Sequence, residues 1–520
     1  MATIQHHHSD GACSCPSTDH TDAIRTSESR DTSYDHILKY TGVFGGVQVL
    51  KMLASVVRNK LTALFLGAAG VGLISVYNSI CEFVVSGSNL GVPLNATRRS
   101  SELFEEGTTE QIHHFVLVVR TWVLLTAFLS IVLCTLLSPL VSYILFDHEF
   151  SHWPQVMTMI PVVVSFLIAE GECAVLKGLR QVRQVAVVES ILALSTLLLT
   201  VPFYYVMGIR GVVIGLICSG LASVVVHFWF SLRLVPYRVR PFHLSILREG
   251  LPMVTKGIPY VLAGLSGAAL GMAIPALIKM NGTLADVGYY RVAYAIMVGY
   301  AGMAFVALEA DYYPRLSSVN ADTVRFNETI NKQIEVCILL VTPFLIPFVM
   351  LMPWIIQLLF TQEFLVASDM MVCAAFYTFL RGIMLPISYS SLAKGDSMLF
   401  LVMEVLSNVL MGLLFWWLYS AWGLLGAGIS LSLGALYDLL ASLLIYGKRY
   451  GCRVRRSTWR LCLVQALCLT GAVYACLQTD IVLRYLICSI LFVCSFAHSL
   501  RLLSRRSDFF HRLTNRFCRK

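Results

Sequence analysis

"VQVLKMLASVVRNKLTALFLGAAGVG", residues 47–72, is apolar enough to cross a membrane, yet it carries Lys51, Arg58 and Lys60. A cation at the centre of a lipid-facing helix costs roughly 3 kcal/mol even on the mildest scale. Placing residues 44–66 on a helix resolves the conflict. Gln48, Lys51, Ser55, Arg58 and Thr62 recur at steps of three and four and form one polar face, with Lys60 off it. Such a face is tolerable toward a hydrated chamber. The stretch therefore predicts one helix of a multi-span bundle, with its polar stripe turned inward.

The rest of the chain agrees. Its 520 residues are 57% hydrophobic and 13% charged, with a mean hydropathy of +0.73, where soluble chains run about 25% charged. The apolar runs are long, unlike the short alternating segments of a β-barrel. A crossing helix needs roughly 20 apolar residues. The runs that qualify are 38–66, 70–92, 113–146, 156–178, 184–207, 210–234, 252–278, 286–312, 332–360, 367–392, 397–420, 423–446, 459–478 and 481–503. The expected fold is an all-α polytopic membrane protein of about 14 transmembrane helices. Residues 1–35 are rich in Ser, Thr, Asp and His and are expected to form a disordered cytoplasmic tail with no cleavable signal. Cys81, Cys134, Cys218, Cys337 and Cys488 lie in apolar runs, where cysteine behaves as a small hydrophobe.

Lys and Arg set the orientation. Connections after even-numbered spans hold clusters such as Arg98-Arg99, Arg180/Arg183, Arg238/Arg240 and Arg453/Arg455/Arg456, and the final tail is basic. Connections after odd-numbered spans hold only Arg210, Lys279 and Arg484. Both termini are expected on the cytoplasmic side of the membrane. The net charge of +9 thus follows from topology and needs no nucleic-acid partner.

The first six spans resemble the next six at a nearly constant offset. Lys39 aligns with Lys256, Val71-Gly72 with Val287-Gly288, Lys177-Gly178 with Lys394-Gly395, and Gly208/Gly211 with Gly423/Gly426, at offsets of 215 to 217 residues. The agreement in register carries the argument. It divides the chain into an N-lobe (36–235, spans 1–6), a C-lobe (250–448, spans 7–12), a C-terminal helix pair (457–503) and a basic tail (504–520). Two pseudo-symmetric six-helix lobes predict an axis along the membrane normal and an inward-facing groove between them that holds the substrate.

Other spans carry polar stripes too. Ser75, Asn78, Glu82, Ser86 and Asn89 form one in the second span, and Tyr377, Arg381, Ser388 and Ser391 another in the tenth. Arg120, Glu170, Glu172, Arg291, Glu309, Asp311, Glu335, Glu404 and Asp438 are further ionisable groups inside spans. The expected cationic lining is Lys51, Arg58, Lys60, Arg291 and Arg381. Gln48, Glu82, Asn89 and Tyr377 supply polar lining, and the acids either pair with cations or serve coupling.

Catalytic motifs are nearly absent. There is no P-loop. "HEFSH", 148–152, fits the zinc-protease pattern, but it sits in a short connection before Trp153-Pro154 with no evident third ligand, and is expected to be inert. No metal or cofactor is expected. Asn95, Asn281 and Asn327 fit the glycosylation sequon, and two of them fall on the cytoplasmic side.

"LFLGAAGVGLISVYNSI" (64–80), "NLGV" (89–92), "VGYYRVAYAI" (287–296), "EADYYPRLS" (309–317) and "NKQIE" (331–335) together resemble the Wzx-type flippases of lipid-linked oligosaccharides, O-antigen translocases above all, in the multidrug/oligosaccharidyl-lipid/polysaccharide exporter superfamily. The resemblance covers about residues 37–450. It implies a two-lobed, alternating-access transporter, not an enzyme. Its substrate would be an undecaprenyl-diphosphate-linked oligosaccharide moved to the outer leaflet. An ion gradient, proton or Na⁺, would drive it, with Glu82, Glu309, Asp311 and Glu335 as candidates. A polysaccharide polymerase and a chain-length regulator would be partners. The closest rival is a drug or small-cation antiporter of the same superfamily, whose chamber should be dominated by carboxylates. A polymerase would need a large outer loop, which the sequence lacks.

Overall fold

The computed structural model describes residues 20–106, 108–145, 153–240, 243–478 and 480–506. Among them the chain is helical with no strand: α1 (His20–Ser88), α2 (Val92–Glu106), α3 (Thr109–Leu145), α4 (Trp153–Met157), α5 (Ile160–Gly178), α6 (Val182–Met207), α7 (Gly211–Leu232), α8 (Leu244–Asn281), α9 (Leu284–Tyr294), α10 (Met303–Ser318), α11 (Thr323–Met350), α12 (Met352–Leu359), α13 (Ser368–Ala393), α14 (Ser397–Tyr450), α15 (Arg456–Cys476) and α16 (Ile481–Arg506). Helix α1 starts at His20, inside the tail that composition sets apart; residues 1–19, "HEFSH" and most of the basic tail (507–520) lie outside the described residues.

Nine of the described helices are long and apolar enough to cross a membrane. Three of them are double. The stretch Gly46–Ser88 breaks at Gly67, Arg183–Leu232 at Gly208 and Ser397–Tyr450 at Gly423. A straight helix of 54 residues would run about 80 Å, far beyond a hydrocarbon core of about 30 Å. Instead Asp396, which caps the start of α14, accepts hydrogen bonds from Arg449 Nε (2.9 Å) and Tyr450 Oη (3.0 Å) at its far end. The helix doubles back at Gly423, and Trp416, Trp417 and Trp422 stand exposed around that turn, as interfacial anchors do. The expected fourth and eighth spans are not among them, for identifiable reasons. Helix α5 carries Glu170, Glu172 and Lys177, and the eighth span is split into α9, a π turn (Ala295–Tyr300) and α10. The expected loop around Arg98 and Arg99 is α2, which buries Val92 and Ala96 and leaves both arginines exposed.

The repeat is visible in the backbone. Gly208 (φ 58°, ψ −136°) and Gly423 (φ 56°, ψ −135°) make the same turn. A Cβ on Gly211 would overlap the Phe203 carbonyl oxygen, and one on Gly426 that of Leu418, again 215 residues on. One pairing read from the sequence shifts. The ends of α5 and α13 superimpose hydrogen bond for hydrogen bond at offset 215: Gln181 N–H to Leu176 O and Asp396 N–H to Ser391 O, both closing around a left-handed residue, Arg180 (φ 54°) and Gly395 (φ 73°). The partner of Gly395 is thus Arg180, not Gly178. Gly178 is small for another reason: a Cβ there would overlap the Ser100 side chain of α2.

The two lobes cross at a second glycine pair. A Cβ on Gly72 would overlap the carbonyl oxygen of Leu284, and one on Gly288 that of Ala68. Both relations are the same contact with the lobes exchanged, so the pseudo-two-fold axis passes through the crossing of α1 and α9. The lobes also meet past the end of α1, where α2 and α3 face α8. There Asn95 Nδ2 donates to Met253 O (2.7 Å), His114 pairs with Glu249 (2.8 Å), and a Cβ on Gly91 would lie 3.1 Å from Gly257 Cα. These contacts bridge the two lobes at that seam.

Candidate functional site

The polar stripe of α1 faces a cavity of about 500 Å³ between the lobes. Ser55, Arg58, Asn59 and Thr62 line it from the first limb of α1, Ser75 and Asn78 from the second, and Thr196, Thr200, Tyr204 and Ser219 from α6 and α7. Arg291, Tyr294 and Tyr300 line it from the other lobe. Local sequence puts Arg291 there. Thr283 and Asp286 form a capping box that starts α9. Gly288, one turn on, lets α9 cross α1, and Arg291 follows on the next turn. The π turn then advances the register and brings Tyr300 to the same wall; such turns recur at functional sites. Asn59 Nδ2 donates to Tyr300 Oη (3.0 Å) across the lobes.

A side cavity of about 300 Å³ shares Ser55, Arg58 and Thr196 with the first and adds Lys51 and Glu189. The charges of the joined space are unbalanced. Lys51 Nζ lies 2.7 Å from Glu189. Arg58 and Arg291 form no ion pair with any described residue, and they lie within electrostatic reach of one another. Two guanidinium groups sharing one cavity without a carboxylate are costly unless an anion completes them. No Asp or Glu lines the main cavity among the described residues.

The remaining candidates separate by position. Arg381 Nη1 donates to Tyr377 Oη (2.8 Å), and both lie within electrostatic reach of Tyr294, as does the exposed Glu82. They border the cavity without lining it. Gln48 is exposed on α1 beyond Lys51. Lys60 turns away from the cavity: its amine donates to Gln357 O (2.6 Å) and to Phe360 O, completing the end of α12, where a cation belongs. Asn89 Oδ1 accepts from Gly91 N–H (3.1 Å) and shapes the turn into α2. Glu335 accepts from Thr458 Oγ1 (2.8 Å) of α15, outside the cavity. Glu309 and Asp311 lie on α10 with side chains outside the described residues. Glu172 serves structure: it forms a buried bidentate pair with Arg120 (2.8 and 2.9 Å) that Ser231 and the carbonyls of Val235 and Pro236 complete. Glu404 and Asp438 neighbour each other within α14, beside Asn408 and Ser407.

Glu189, Asn59, Tyr204 and Tyr300 were not singled out by pattern. Glu189 was findable, being the one acidic residue of the 184–207 run. The hydroxyls were not, since tyrosine in an apolar run gives no hint of its direction. A larger groove of about 850 Å³ lies between α2, α3 and α8. Its charges are mostly satisfied within it, Arg98 and Arg99 on Glu102 and His114 on Glu249, so it offers no comparable demand for a ligand.

Solved structures share this helical bundle of two crossed, repeat-related lobes around a polar cavity. "Lipid II flippase MurJ, inward closed conformation" aligns over 90% of this chain and 99% of its own, with a TM-score of 0.68 at 13% identity. A multidrug resistance MATE family transporter of the MOP superfamily, in an inward-facing conformation, covers 78% of this chain and 94% of its own (TM-score 0.62, 12% identity). The Vibrio cholerae MATE transporter VcmN in its bent form covers 79% and 96% (TM-score 0.51, 16% identity). No curated protein matches the chain. Residues 37–320 match the family described as polysaccharide biosynthesis protein, more than half of the chain, and the chain belongs to that family. It shares its fold with these flippase and transporter structures.

Proposed function

We propose that this protein flips an undecaprenyl-diphosphate-linked oligosaccharide, an O-antigen or similar surface repeat unit, from the cytoplasmic to the outer leaflet of a bacterial inner membrane. One observation carries the reading: Arg58 from one lobe and Arg291 from the other face a common cavity without counter-ions among the described residues. A diphosphate supplies the missing charge. Arginine forks match its oxygens bidentately, and the low-dielectric walls strengthen the pairing. Hydroxyls and amides of Ser55, Asn78, Thr196 and Tyr204 suit the first sugar, and the prenyl chain stays in lipid between the lobes. A cavity of about 500 Å³ holds a headgroup and not a long glycan, so the lobes part further during transport. A small-cation antiporter would call for carboxylates where these arginines stand.

Transport is coupled to a proton or Na⁺ gradient in this reading. Glu82, exposed and within electrostatic reach of Tyr294, is one coupling candidate, with Glu309 and Asp311 of α10 as the others. Glu335 is bound to α15 and takes no part. A polysaccharide polymerase and a chain-length regulator receive the product, and both termini are cytoplasmic.

The test is surface glycan in a strain lacking the native gene, with protein level checked in the same membranes. Arg58→Ala, Arg291→Ala or Lys51→Ala each removes a charge-assisted contact worth roughly 1.5–3 kcal/mol, about a ten- to hundredfold loss of binding. Arg58→Lys retains part of the export, because charge persists while the fork is lost. Full export by the triple alanine variant at normal expression would overturn the reading.

A further inference from the structure

We infer that Glu189 is a built-in counter-anion: it occupies Lys51 at rest, the diphosphate displaces it, and its return to Lys51 drives the anion out again. The inference rests on the anion-site reading above and adds the residue that sets the affinity of that site.

Three cations follow one another along the joined cavities, and they are not alike. Lys51 is paired with Glu189 at 2.7 Å, while Arg58 and Arg291 form no ion pair among the described residues. Lys51 and Arg58 share one face of α1 and stand about 10 Å apart along it. Ser55 and Thr196 connect the space between them. An anion held by Arg58 is therefore within one long side chain of Lys51. Glu189 belongs to α6, so the carboxylate and the ammonium reach the side cavity from different helices. Their side chains are 27% and 40% exposed, which leaves Lys51 free to swing on its flexible stem.

A pair this open adds little stability, since exposed ion pairs contribute about 0–1 kcal/mol. An acid within an apolar run is still expensive to place, so a merely structural role explains it poorly. A competitive role explains it well. A chamber of three bare cations would bind a diphosphate too tightly to release it, and conduction across a membrane needs binding strong enough to admit and weak enough to let go. Glu189 lowers the affinity by making the ligand break an ion pair. When the lobes rearrange, the carboxylate reclaims Lys51, and the anion loses one of its holders. Cys173 of α5 and His227 of α7 also lie within electrostatic reach of Glu189, but neither supplies a fixed cation in place of Lys51.

The experiment measures binding of farnesyl diphosphate, a short prenyl diphosphate, to the purified full chain in nanodiscs at fixed pH and salt. Glu189→Gln is expected to bind it about tenfold more tightly, near 1.4 kcal/mol, while export in cells falls because release slows. In a Lys51→Ala background Glu189→Gln is expected to change nothing, because the two side chains act as one unit. Glu189→Asp, which keeps the charge and shortens the reach, is expected to tighten binding by a smaller factor and serves if the glutamine variant does not fold. Unchanged or weaker binding by the Glu189 variants overturns the inference, as does tightening that persists without Lys51. Failure of the parent reading looks different: Arg58→Ala and Arg291→Ala would then bind the probe as the wild type does.

Discussion

Two residues along α1 separate Arg58 from Lys60, and with them about 200° of helical rotation. That rotation gives the two cations different work. Arg58 faces the cavity, whereas Lys60 satisfies carbonyls at the end of α12. Lys60→Ala is therefore expected to leave export near normal and to cost about 0.3–1 kcal/mol of stability, the usual value of a cation at a helix C-terminus. Thermal unfolding in detergent, run beside the export assay, checks both halves; a Lys60→Ala protein that is stable but cannot export would return Lys60 to the chamber.

At the scale of the element, glycines decide where helices cross and turn. Gly288 sits where α9 meets backbone and not a yielding side chain. Overpacking costs about 1–3 kcal/mol even where neighbours can shift, so Gly288→Ala and Gly72→Ala are expected to cost at least that and to lower Tm and export together. Normal Tm in either variant would show that the crossing is looser than described. Helix α14 depends on Asp396 for both its start and its doubling back. The Leu399 N–H holds this carboxyl below its usual range, helped by Arg449 and Tyr450, and Asp396 stands outside the membrane-spanning stretches. The folded state therefore gains from the ionised form. That gain is present above the unfolded value of about 3.9 and is lost as pH falls through the lower folded value. Asp396→Ala is expected to cost about 1 kcal/mol at neutral pH, as cap deletions do. The gap from wild type closes in acid, and a gap independent of pH would contradict the charge argument.

For the whole molecule, the lobes touch at two seams. One is Asn59–Tyr300 with the Gly72–Gly288 crossing, at the main cavity, and the other is Asn95–Met253 with His114–Glu249, at the larger groove. The proposed alternating access requires one set of contacts to open while the other holds. Joining positions 114 and 249 by His114→Cys with Glu249→Cys and a short cleavable thiol-reactive bridge is expected to stop export, and cleaving the bridge to restore it. Each single cysteine variant should keep exporting after the same treatment. Export at full rate through the bridged protein would mean that this seam does not open.

The sequence by itself determined what is local or periodic. The apolar runs set the helices, the steps of three and four put Lys51, Ser55, Arg58 and Thr62 on one face, and the register of glycines announced the two-fold repeat. These follow from helical geometry and from the cost of charge in lipid, which any short window of residues expresses. Tertiary structure alone decided the partners. Nothing near Arg58 in the chain says that Arg291 shares its cavity, that Glu189 waits beside Lys51, that Glu335 is bound to Thr458, or that Arg180 and not Gly178 matches Gly395. An ionisable group inside a membrane is driven to find a counter-charge or water. Which of these it finds depends on which helix packs beside it, and that choice belongs to the assembled bundle.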